Sequence, residues 1–310
     1  MEKNDPIFLG TRFLKSMSLN KPFFSVITPT YRRPEKLKEA VESVLSQSFS
    51  DFEYLVVNND EYPIEIELVD PRIRLIHEKR KGANYARNTG IEIACGEFIC
   101  FLDDDDIYLS NHLEELHKLI QLKNKQIGLY RTFTQIKDKF GSLSQQEINC
   151  RPQNFSNLDH LYTEMLTMHC VCLHKIILTK FKFDPKIKVA QDYHLWTKIL
   201  SEFDLYEAPV ITTQYNISSN SISTASKDKY LSYLDVYSEL FKSPFTNNLN
   251  PKIKSKRLFT YHNFLLESFS LELGWRQFLK HCLKSFKLKP TALNFWRIII
   301  VIFKKLIKID

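Results

Sequence analysis

The sequence predicts an α/β protein with a mainly parallel sheet, followed by a helical C-terminal extension. From residue 23 to about residue 220, short apolar runs alternate with segments whose apolar residues recur at helical spacing. Such alternation is typical of βαβ units, which bring their strands together in parallel. Beyond residue 227 only the helical spacing remains. We therefore expect a lead-in over 1–22, an α/β domain over 23–223 and a helical extension over 224–310.

The elements of the α/β domain follow one another at short intervals. Apolar runs predict strands, and these runs lie at 24–28, 54–57, 73–76, 98–102 and 210–215. Apolar stripes at i, i+3 and i+4 predict helices, and these stripes lie at 37–45, 83–94, 113–120 and 191–200. The segment from about 121 to 188 shows no clear periodicity. Prolines at 244, 251 and 290 divide the C-terminal segment into about four helices.

The composition excludes several classes of protein. With 310 residues, 44% hydrophobic and 25% charged, the chain has the profile of a globular protein with a sizeable core. Its 7 glycines and 12 prolines are too few for a collagen-like or low-complexity chain. The 6 cysteines show no zinc-site spacing, which favours reduced thiols. The N-terminus lacks the apolar run of a signal peptide, so we expect a cytoplasmic protein.

The positive charge is concentrated at the C-terminus. The net charge is +7, yet residues 275–310 alone contain nine Lys and Arg against one Asp. A nucleic-acid binder usually carries a basic stripe on its folded domain or aromatic residues interleaved with basic ones. The sequence shows neither pattern, so we expect no nucleic-acid partner. The basic C-terminal segment needs a different explanation.

Polar clusters follow three of the predicted strands. They lie at 30–33, 58–60 and 103–106. In open parallel sheets, ligands bind outside the carboxyl ends of the strands. We therefore expect the three clusters to converge on one cleft.

The run Asp103 to Asp106 is the most informative of these clusters. Adjacent carboxylates repel one another strongly inside a cleft, so such a run calls for a cation there. Oxygen ligands suit Mg²⁺ or Mn²⁺, which usually bridge carboxylates to substrate phosphates. The alternative is a solvated helix start, where acidic residues are also favoured.

A second candidate is Asp192, at the start of the helix predicted over 191–200. It lies on the same helical face as Leu195, Trp196 and Ile199, which form the apolar stripe. A carboxylate on this face points toward the interior or a cleft. Asp192 is therefore either a capping acid at the helix N-terminus or a general base at the edge of a reactant pocket.

Three sequence blocks together resemble the signature blocks of inverting family 2 glycosyltransferases, which have the GT-A fold. The blocks are SVITPTYRRPEKLKEAVESVLSQSFSDFEYLVV, KGANYARNTGIEIACGEFICFLDDDD and FDPKIKVAQDYHLW. Each block alone is weakly specific for the family, whereas all three in this order indicate it strongly. The resemblance covers about 23–223. It implies single-step transfer of a sugar from a nucleotide donor, with Mn²⁺ or Mg²⁺ as cofactor.

The resemblance also implies which residues bind the donor. Thr30 and Tyr31 match the positions that pack on the nucleotide base, and Arg87 with Asn88 matches the element that lines the nucleotide side. Asn58 stands where the family usually has an aspartate that accepts a hydrogen bond from the base. An amide can accept but also donate, so uracil is the expected base.

For the metal and the chemistry, the resemblance points to the aspartates. Asp103 and Asp105 match the DxD motif, and both are expected on the metal, with Asp103 also near the ribose. Asp104, at the variable position between them, is expected on the nucleotide-sugar side. Asp192 matches the general base that deprotonates the acceptor hydroxyl. Gln191 replaces the usual glutamate before the base, on the acceptor side.

Further differences from the family pattern, and one further candidate residue, affect the prediction. Asn59 also replaces an aspartate, and Ser218 stands where many members have a histidine that helps to bind metal or phosphate. His169 precedes the base in a stretch that often contacts donor or acceptor, although a lone histidine is more often structural. The QxxRW motif and the membrane spans of processive members are absent from the sequence. We therefore expect a single-sugar transferase that acts on a glycan or lipid-linked acceptor.

Two other functions compete with this prediction. A haloacid-dehalogenase-like phosphatase also places DxD after a strand, but its usual DxDG[TV] start is not found here. A membrane-surface binding protein with a decayed transferase site would explain Asn58, Asn59 and the basic C-terminus. Intact Asp103, Asp105 and Asp192 argue against it.

The last predicted helix has the pattern of a membrane-surface helix. On a projection of 293–309, one sector about 100° wide contains Arg297, Lys304, Lys305 and Lys308, and apolar residues occupy most of the rest. Its uninterrupted apolar run is about 9 Å long against a hydrocarbon core of roughly 30 Å, so it cannot span a bilayer. We expect it to dock on anionic lipid at the inner face of the membrane. The alternative is that its apolar face packs on the catalytic domain.

Overall fold

A computed structural model describes residues 21–64, 69–145, 147–164, 166–217 and 226–307, except for the side chains of Phe303 and Ile307. Within these ranges nine strands form one sheet in the order β3-β2-β1-β4-β8-β6-β9-β5, with β7 paired to β6. The strands are β1 (Phe24–Thr30), β2 (Phe52–Asn58), β3 (Ile73–His77), β4 (Phe98–Phe101), β5 (Ile107–Tyr108), β6 (Gly128–Lys137), β7 (Leu143–Gln145), β8 (Val171–His174) and β9 (Asp204–Asn216).

Ten α-helices are described around and beyond this sheet. They are α1 (Pro34–Leu45), α2 (Ala83–Ile93), α3 (His112–Leu122), α4 (Asn157–Thr163), α5 (Ile177–Lys180), α6 (Gln191–Leu200), α7 (Lys227–Leu240), α8 (Pro251–Phe269), α9 (Trp275–Leu288) and α10 (Ala292–Ile307). The stretch without clear periodicity contains β6, β7, α4, β8 and α5. The predicted strands and helices elsewhere are all present, but β9 begins at Asp204 and not at residue 210, and the short β5 was not predicted.

The mainly parallel sheet is confirmed. β1 pairs in parallel with both β2 and β4, and β6 pairs in parallel with β9. β8 runs antiparallel between β4 and β6, which makes the sheet mixed. Because Thr30 is in register with Asn58, and Ile27 with Phe101, the carboxyl ends of β1, β2 and β4 meet at one edge.

The core consists of two apolar layers, one on each face of the sheet. β1 alternates between them, with Val26 in one cluster and Ile27 in the other. Trp196 of α6 is fully buried in the same cluster as Ile27. A close contact fixes α2 on β1, because a Cβ added to Gly90 would lie 2.6 Å from Ile27. The core thereby holds α2 and α6, which both reach the edge where the strands end.

The C-terminal helices are joined to the α/β core through α7. Tyr237 and Leu240 of α7 belong to the main core cluster. Leu234, also on α7, packs in a separate cluster with Ile298 and Val301 of α10. None of the described helices combines the length and the apolar character that a membrane span requires. The boundary near residue 223 stays a prediction, since 218–225 lie outside the described residues.

Lys305 does not belong to a solvent-facing basic sector of the last helix, contrary to the prediction from the helical projection. Its Nζ donates to the carbonyls of Ser270 and Leu273, both at 2.6 Å, and its side chain is buried. Ser270 caps the C-terminus of α8, where the backbone carbonyls have no partner within the helix and attract an ammonium. Arg297 pairs with Glu267 at 2.5 Å. Lys308 lies outside the described residues.

Candidate active site

A cavity of about 620 Å³ opens at the edge where β1, β2 and β4 end. This size is typical of sites for small molecules. The three predicted polar clusters do converge here, since Asn59 N donates to Thr30 O at 2.9 Å and Arg33 reaches Asp104 and Asp105. Its walls come from the sheet edge, α2, the segment before α6 and α7, and they include Thr30, Tyr31, Asn59, Arg87, Asp103 to Asp106, His169, Ala190 to Asp192, Tyr215, Lys229 and Tyr233.

The four aspartates after β4 alternate in burial. The side chains of Asp103 and Asp105 are 34% and 15% exposed. Asp104 and Asp106 are buried. The two aspartates assigned to the DxD motif are therefore the more accessible ones, whereas the other two belong to the wall of the site.

Asp104 is a buried carboxylate that holds the end of β1. Thr30 Oγ1 donates to it at 2.8 Å, and Arg33 donates to it at 3.2 Å. Burial raises the pKa of Asp104 to about 6, although both of these contacts oppose the rise. Thr30 and Asp104 were both predicted to contact the nucleotide. They line the cavity, but the Thr30 hydroxyl is hydrogen-bonded to the Asp104 carboxylate.

Asp103 and Asp105 could hold a divalent ion together with a ligand. Asp105 is held by Arg33 at 3.0 Å and Lys36 at 3.7 Å. In the part of the chain that the structure describes, no group of three or more metal-binding side chains forms a complete ion site. Mg²⁺ is usually bound by one or two carboxylates plus substrate phosphates. The two cavity-facing carboxylates fit such a shared site, whereas a metal held by protein alone does not fit.

A buried arginine joins the two sides of the cavity. Arg87 of α2 donates to Asp103 at 2.5 Å and to Gln191 Oε1 at 2.7 Å. Its guanidinium also lies 5.4 Å from the ring centre of Phe183. One side chain thus connects the end of β4 with the first residue of α6, next to Asp192.

Asp192 is half-buried on the cavity wall. Its Oδ1 accepts a hydrogen bond from Tyr193 N at 2.8 Å. Burial raises the pKa of Asp192, and the nearby Arg87 partly opposes the rise. A carboxylate with a raised pKa at a pocket wall is suited to accept a proton near neutral pH.

The segment before α6 is held in place by two asparagines of α2. Asn88 makes two hydrogen bonds to the backbone of Phe183, and Asn84 Nδ2 donates to the carbonyls of Asp184 and Ile187. The amide of Asn88 therefore faces this segment, and its expected place on the nucleotide side stays a prediction. The two asparagines hold the segment that leads to Asp192 against α2.

Asn58 also lies away from the cavity wall. Its Nδ2 donates to Tyr62 O at 2.7 Å, and its Oδ1 accepts from Asp60 N at 3.0 Å. The side chain closes the turn after β2, so the structure does not support its expected contact with the base. Asn59 lines the cavity instead, and its Oδ1 accepts from Gly82 N at 2.6 Å.

His169 forms a buried pair with Asp106. Its Nδ1 lies 2.8 Å from Asp106 Oδ2, and its ring stacks on Tyr215 with centroids 5.7 Å apart. Burial favours the neutral imidazole, but the Asp106 carboxylate outweighs it and raises the pKa of His169. Asp106 also accepts from Asn216 N. His169 thus combines a structural pairing with a place on the cavity wall.

Sequence reasoning missed several residues of this site. Arg33 bridges Asp104 and Asp105, and Asn216 at the end of β9 donates to Asp105 O at 2.7 Å. Arg33 belongs to the polar cluster 30–33 that was expected at the cleft, but its pairing with the two aspartates was not predicted. Lys229 and Tyr233 come from α7, and no motif marks them. Ser218 lies outside the described residues.

Comparison with known proteins agrees with this architecture. The model of the family described as Glycosyl transferase family 2 matches residues 25–181. An uncharacterized glycosyltransferase of Methanocaldococcus jannaschii is 32% identical over 246 residues, which cover 74% of this chain and 84% of the relative. The Escherichia coli protein named UDP-Glc:alpha-D-GlcNAc-diphosphoundecaprenol beta-1,3-glucosyltransferase is 30% identical over 227 residues, covering 71% of this chain and 87% of the relative.

Solved structures share the fold at lower identity. Residues 1–349 of TarS from S. aureus in complex with UDP give a TM-score of 0.60 at 19% identity, covering 86% of this chain and 81% of that one. A Pyrobaculum calidifontis mannosyltransferase in complex with GDP-Man and Mn²⁺ gives a TM-score of 0.56 at 15% identity, covering 96% and 92%. The match spans 49% of the longer TarS structure.

Proposed function

This chain belongs to glycosyl transferase family 2, and from that premise we propose that it transfers one sugar from a UDP-sugar to a hydroxyl of a lipid-linked acceptor, with inversion at the anomeric carbon. The observation that carries the proposal is the Arg87 bridge. It connects Asp103, on the side expected to bind the donor, with Gln191 beside Asp192. Donor and base would then face each other across one cavity.

The nucleotide end of the donor is assigned to the β1 side of the cavity. Tyr31 is 43% exposed there, which leaves an aromatic face for a base. The E. coli relative is named for a UDP-sugar, and solved TarS complexes contain UDP and UDP-GlcNAc. These names support UDP as the nucleotide.

Asp103 and Asp105 would hold a Mg²⁺ or Mn²⁺ ion together with the donor diphosphate. When bound, such an ion supplies positive charge for the departing nucleoside diphosphate. Asp192 then has a single task, which is to take the proton of the acceptor hydroxyl as that oxygen attacks the anomeric carbon. Burial raises the pKa of Asp192, which favours uptake of a proton by this carboxylate.

A lipid-linked acceptor requires a way to meet the membrane, and α9 offers one. Trp275, Leu279, Leu283 and Phe286 recur at i, i+4, i+8 and i+11, and all are exposed. A parallel stripe of exposed basic residues follows one position later at each step, and it consists of Arg276, Lys280, Lys284 and Lys287.

The apolar stripe continues onto α10. Phe286 contacts Phe295 with ring centroids 6.1 Å apart, and Trp296 beside it is 61% exposed. We assign this α9–α10 face to an anionic bilayer, because each nearby Lys or Arg contributes about 1 kcal/mol of attraction to such lipids. We therefore assign membrane docking to this α9–α10 face and not to the basic sector that was expected on the last helix alone.

Vesicle binding tests the α9–α10 face. The full chain should sediment with phosphatidylglycerol-containing vesicles, and Leu279→Glu with Leu283→Glu should abolish this binding. Leu283→Glu alone should weaken the binding, and Leu122→Glu is its control, because Leu122 is exposed to the same degree, 74% against 73%, but lies on α3. Vesicle binding by the Leu279→Glu, Leu283→Glu variant that equals that of Leu122→Glu contradicts the assignment.

Metal-dependent turnover of UDP-sugars tests the transferase function. Each member of a UDP-sugar panel is incubated with the full chain, with Mn²⁺ or with chelator, and UDP release is measured. We expect release with one or two sugars, only with metal, and loss of release in Asp192→Asn. A phosphatase would release inorganic phosphate from simple esters instead, and a decayed binding protein would release nothing.

A further inference from the structure

Lys229 is an ammonium on the wall of the cavity for which the described residues supply no counterion. It lies in the first turn of α7 and lines the same cavity as Asp192. Its Nζ is shielded from solvent, and no acceptor among the described residues bonds to it. Burial alone lowers the pKa of Lys229, which agrees with the absence of a nearby described carboxylate. An ammonium in this position is costly unless a ligand supplies the negative charge.

The other cations of the cavity differ from Lys229, because Lys81 and Lys188 are exposed to solvent and two arginines are already paired. Arg87 is bound to Asp103 and Gln191, and Arg33 is bound to Asp104 and Asp105. The neighbouring Lys227 is turned away, since its Nζ donates to the carbonyl of Glu272. Lys229 thus differs from these cations in that its Nζ is shielded from water and the described residues supply no anion to it.

The position of Lys229 relates it to the acceptor. Tyr233 follows one helical turn later on the same face of α7 and also lines the cavity. The charge of Asp192 contributes to raising the pKa of Tyr233, so this face of α7 lies near the proposed base. The donor diphosphate is assigned to Asp103 and Asp105, at the end of β4.

We propose that Lys229 binds a phosphate of the acceptor, so that the acceptor is a sugar attached to a lipid through phosphate. This inference rests on the proposed function and narrows its acceptor to an anionic one. Lysine is a common phosphate ligand that acts as a point charge. The α7 helix of the extension would then contribute directly to acceptor choice.

Calorimetry on the full chain tests this site. Geranyl diphosphate serves as a short probe of a lipid-diphosphate group and is titrated into protein saturated with UDP and Mn²⁺. Lys229→Met should weaken its binding about 10-fold or more, as expected for a lost charge-assisted hydrogen bond, with UDP affinity unchanged. Lys229→Arg should restore part of the affinity. Lys227→Met is the control and should bind as the wild type does.

Thermal unfolding adds a readout that a purely structural role would not give. Because Lys229 has no partner among the described residues, Lys229→Met should leave Tm unchanged or raise it while probe binding falls. A drop in UDP affinity without a drop in probe affinity would assign Lys229 to the donor and overturn the proposal. Unchanged binding of both would overturn it as well. Continued UDP-sugar turnover in either case leaves the proposed transferase function intact.

Discussion

Removing Arg87 should break the connection between the two sides of the site. Its side chain is only 5% exposed and makes two short hydrogen bonds, to Asp103 and Gln191. Loss of one partner of a fully buried ion pair costs roughly 3–5 kcal/mol. Asp103 is 34% exposed and can regain water, so we expect Arg87→Met to cost about 2 kcal/mol of unfolding free energy.

A double-mutant cycle measures this connection. Urea unfolding of wild type, Arg87→Met, Asp103→Asn and the double variant should give a coupling energy of about 1–2 kcal/mol. The control is a cycle between Glu114 and Lys118, an exposed i, i+4 pair that should couple by about 0.5 kcal/mol or less. Equal coupling energies in the two cycles would refute the inference that Arg87 connects the two sides of the site.

Three further predictions concern titration and metal. Asp105→Ala should abolish the gain in UDP affinity that Mn²⁺ provides, and unchanged affinity in calorimetry would remove Asp105 from the metal site. Turnover should rise with pH through the raised pKa of Asp192, and this limb should move to higher pH in Arg87→Met, because Arg87 lowers that pKa. Asp104 has a folded pKa of about 6, above its unfolded value, so its stabilising contribution is complete below pH 4 and is lost as pH rises through 6. This lowers the free energy of unfolding by roughly 3 kcal/mol. In Asp104→Asn, urea unfolding measured across this pH range should not show that decrease.

The sequence predicted that the strand ends of the site lie together, because a parallel sheet places the carboxyl ends of its strands at one edge. Apolar runs marked β1, β2 and β4, so the polar residues after them had to meet. The separate roles of the aspartates at the end of β4 could not be predicted from the sequence. The turn after β4 sends Asp104 and Asp106 inward and leaves Asp103 and Asp105 accessible, and no sequence period encodes this alternation.

Contributions from distant helices could not be predicted from local pattern. Lys229 reaches the cavity because Tyr237 and Leu240 pack α7 into the main core, which is a tertiary result. The helical projection grouped Lys305 with other basic residues, but the free carbonyls at the end of α8 bind its ammonium. Asn58 and Asn88 were placed by resemblance, and their amides instead satisfy nearby backbone groups.

The central claim is that Asp192 takes the acceptor proton within a cavity that binds a UDP-sugar. The most direct measurement compares Asp192→Asn with the wild type, by calorimetry for UDP with Mn²⁺ and by turnover of the best UDP-sugar. We predict unchanged UDP affinity and turnover lowered about 10² or more, because only the proton acceptor is lost. Turnover near the wild-type rate would contradict the account and make Asp192 a capping residue of α6.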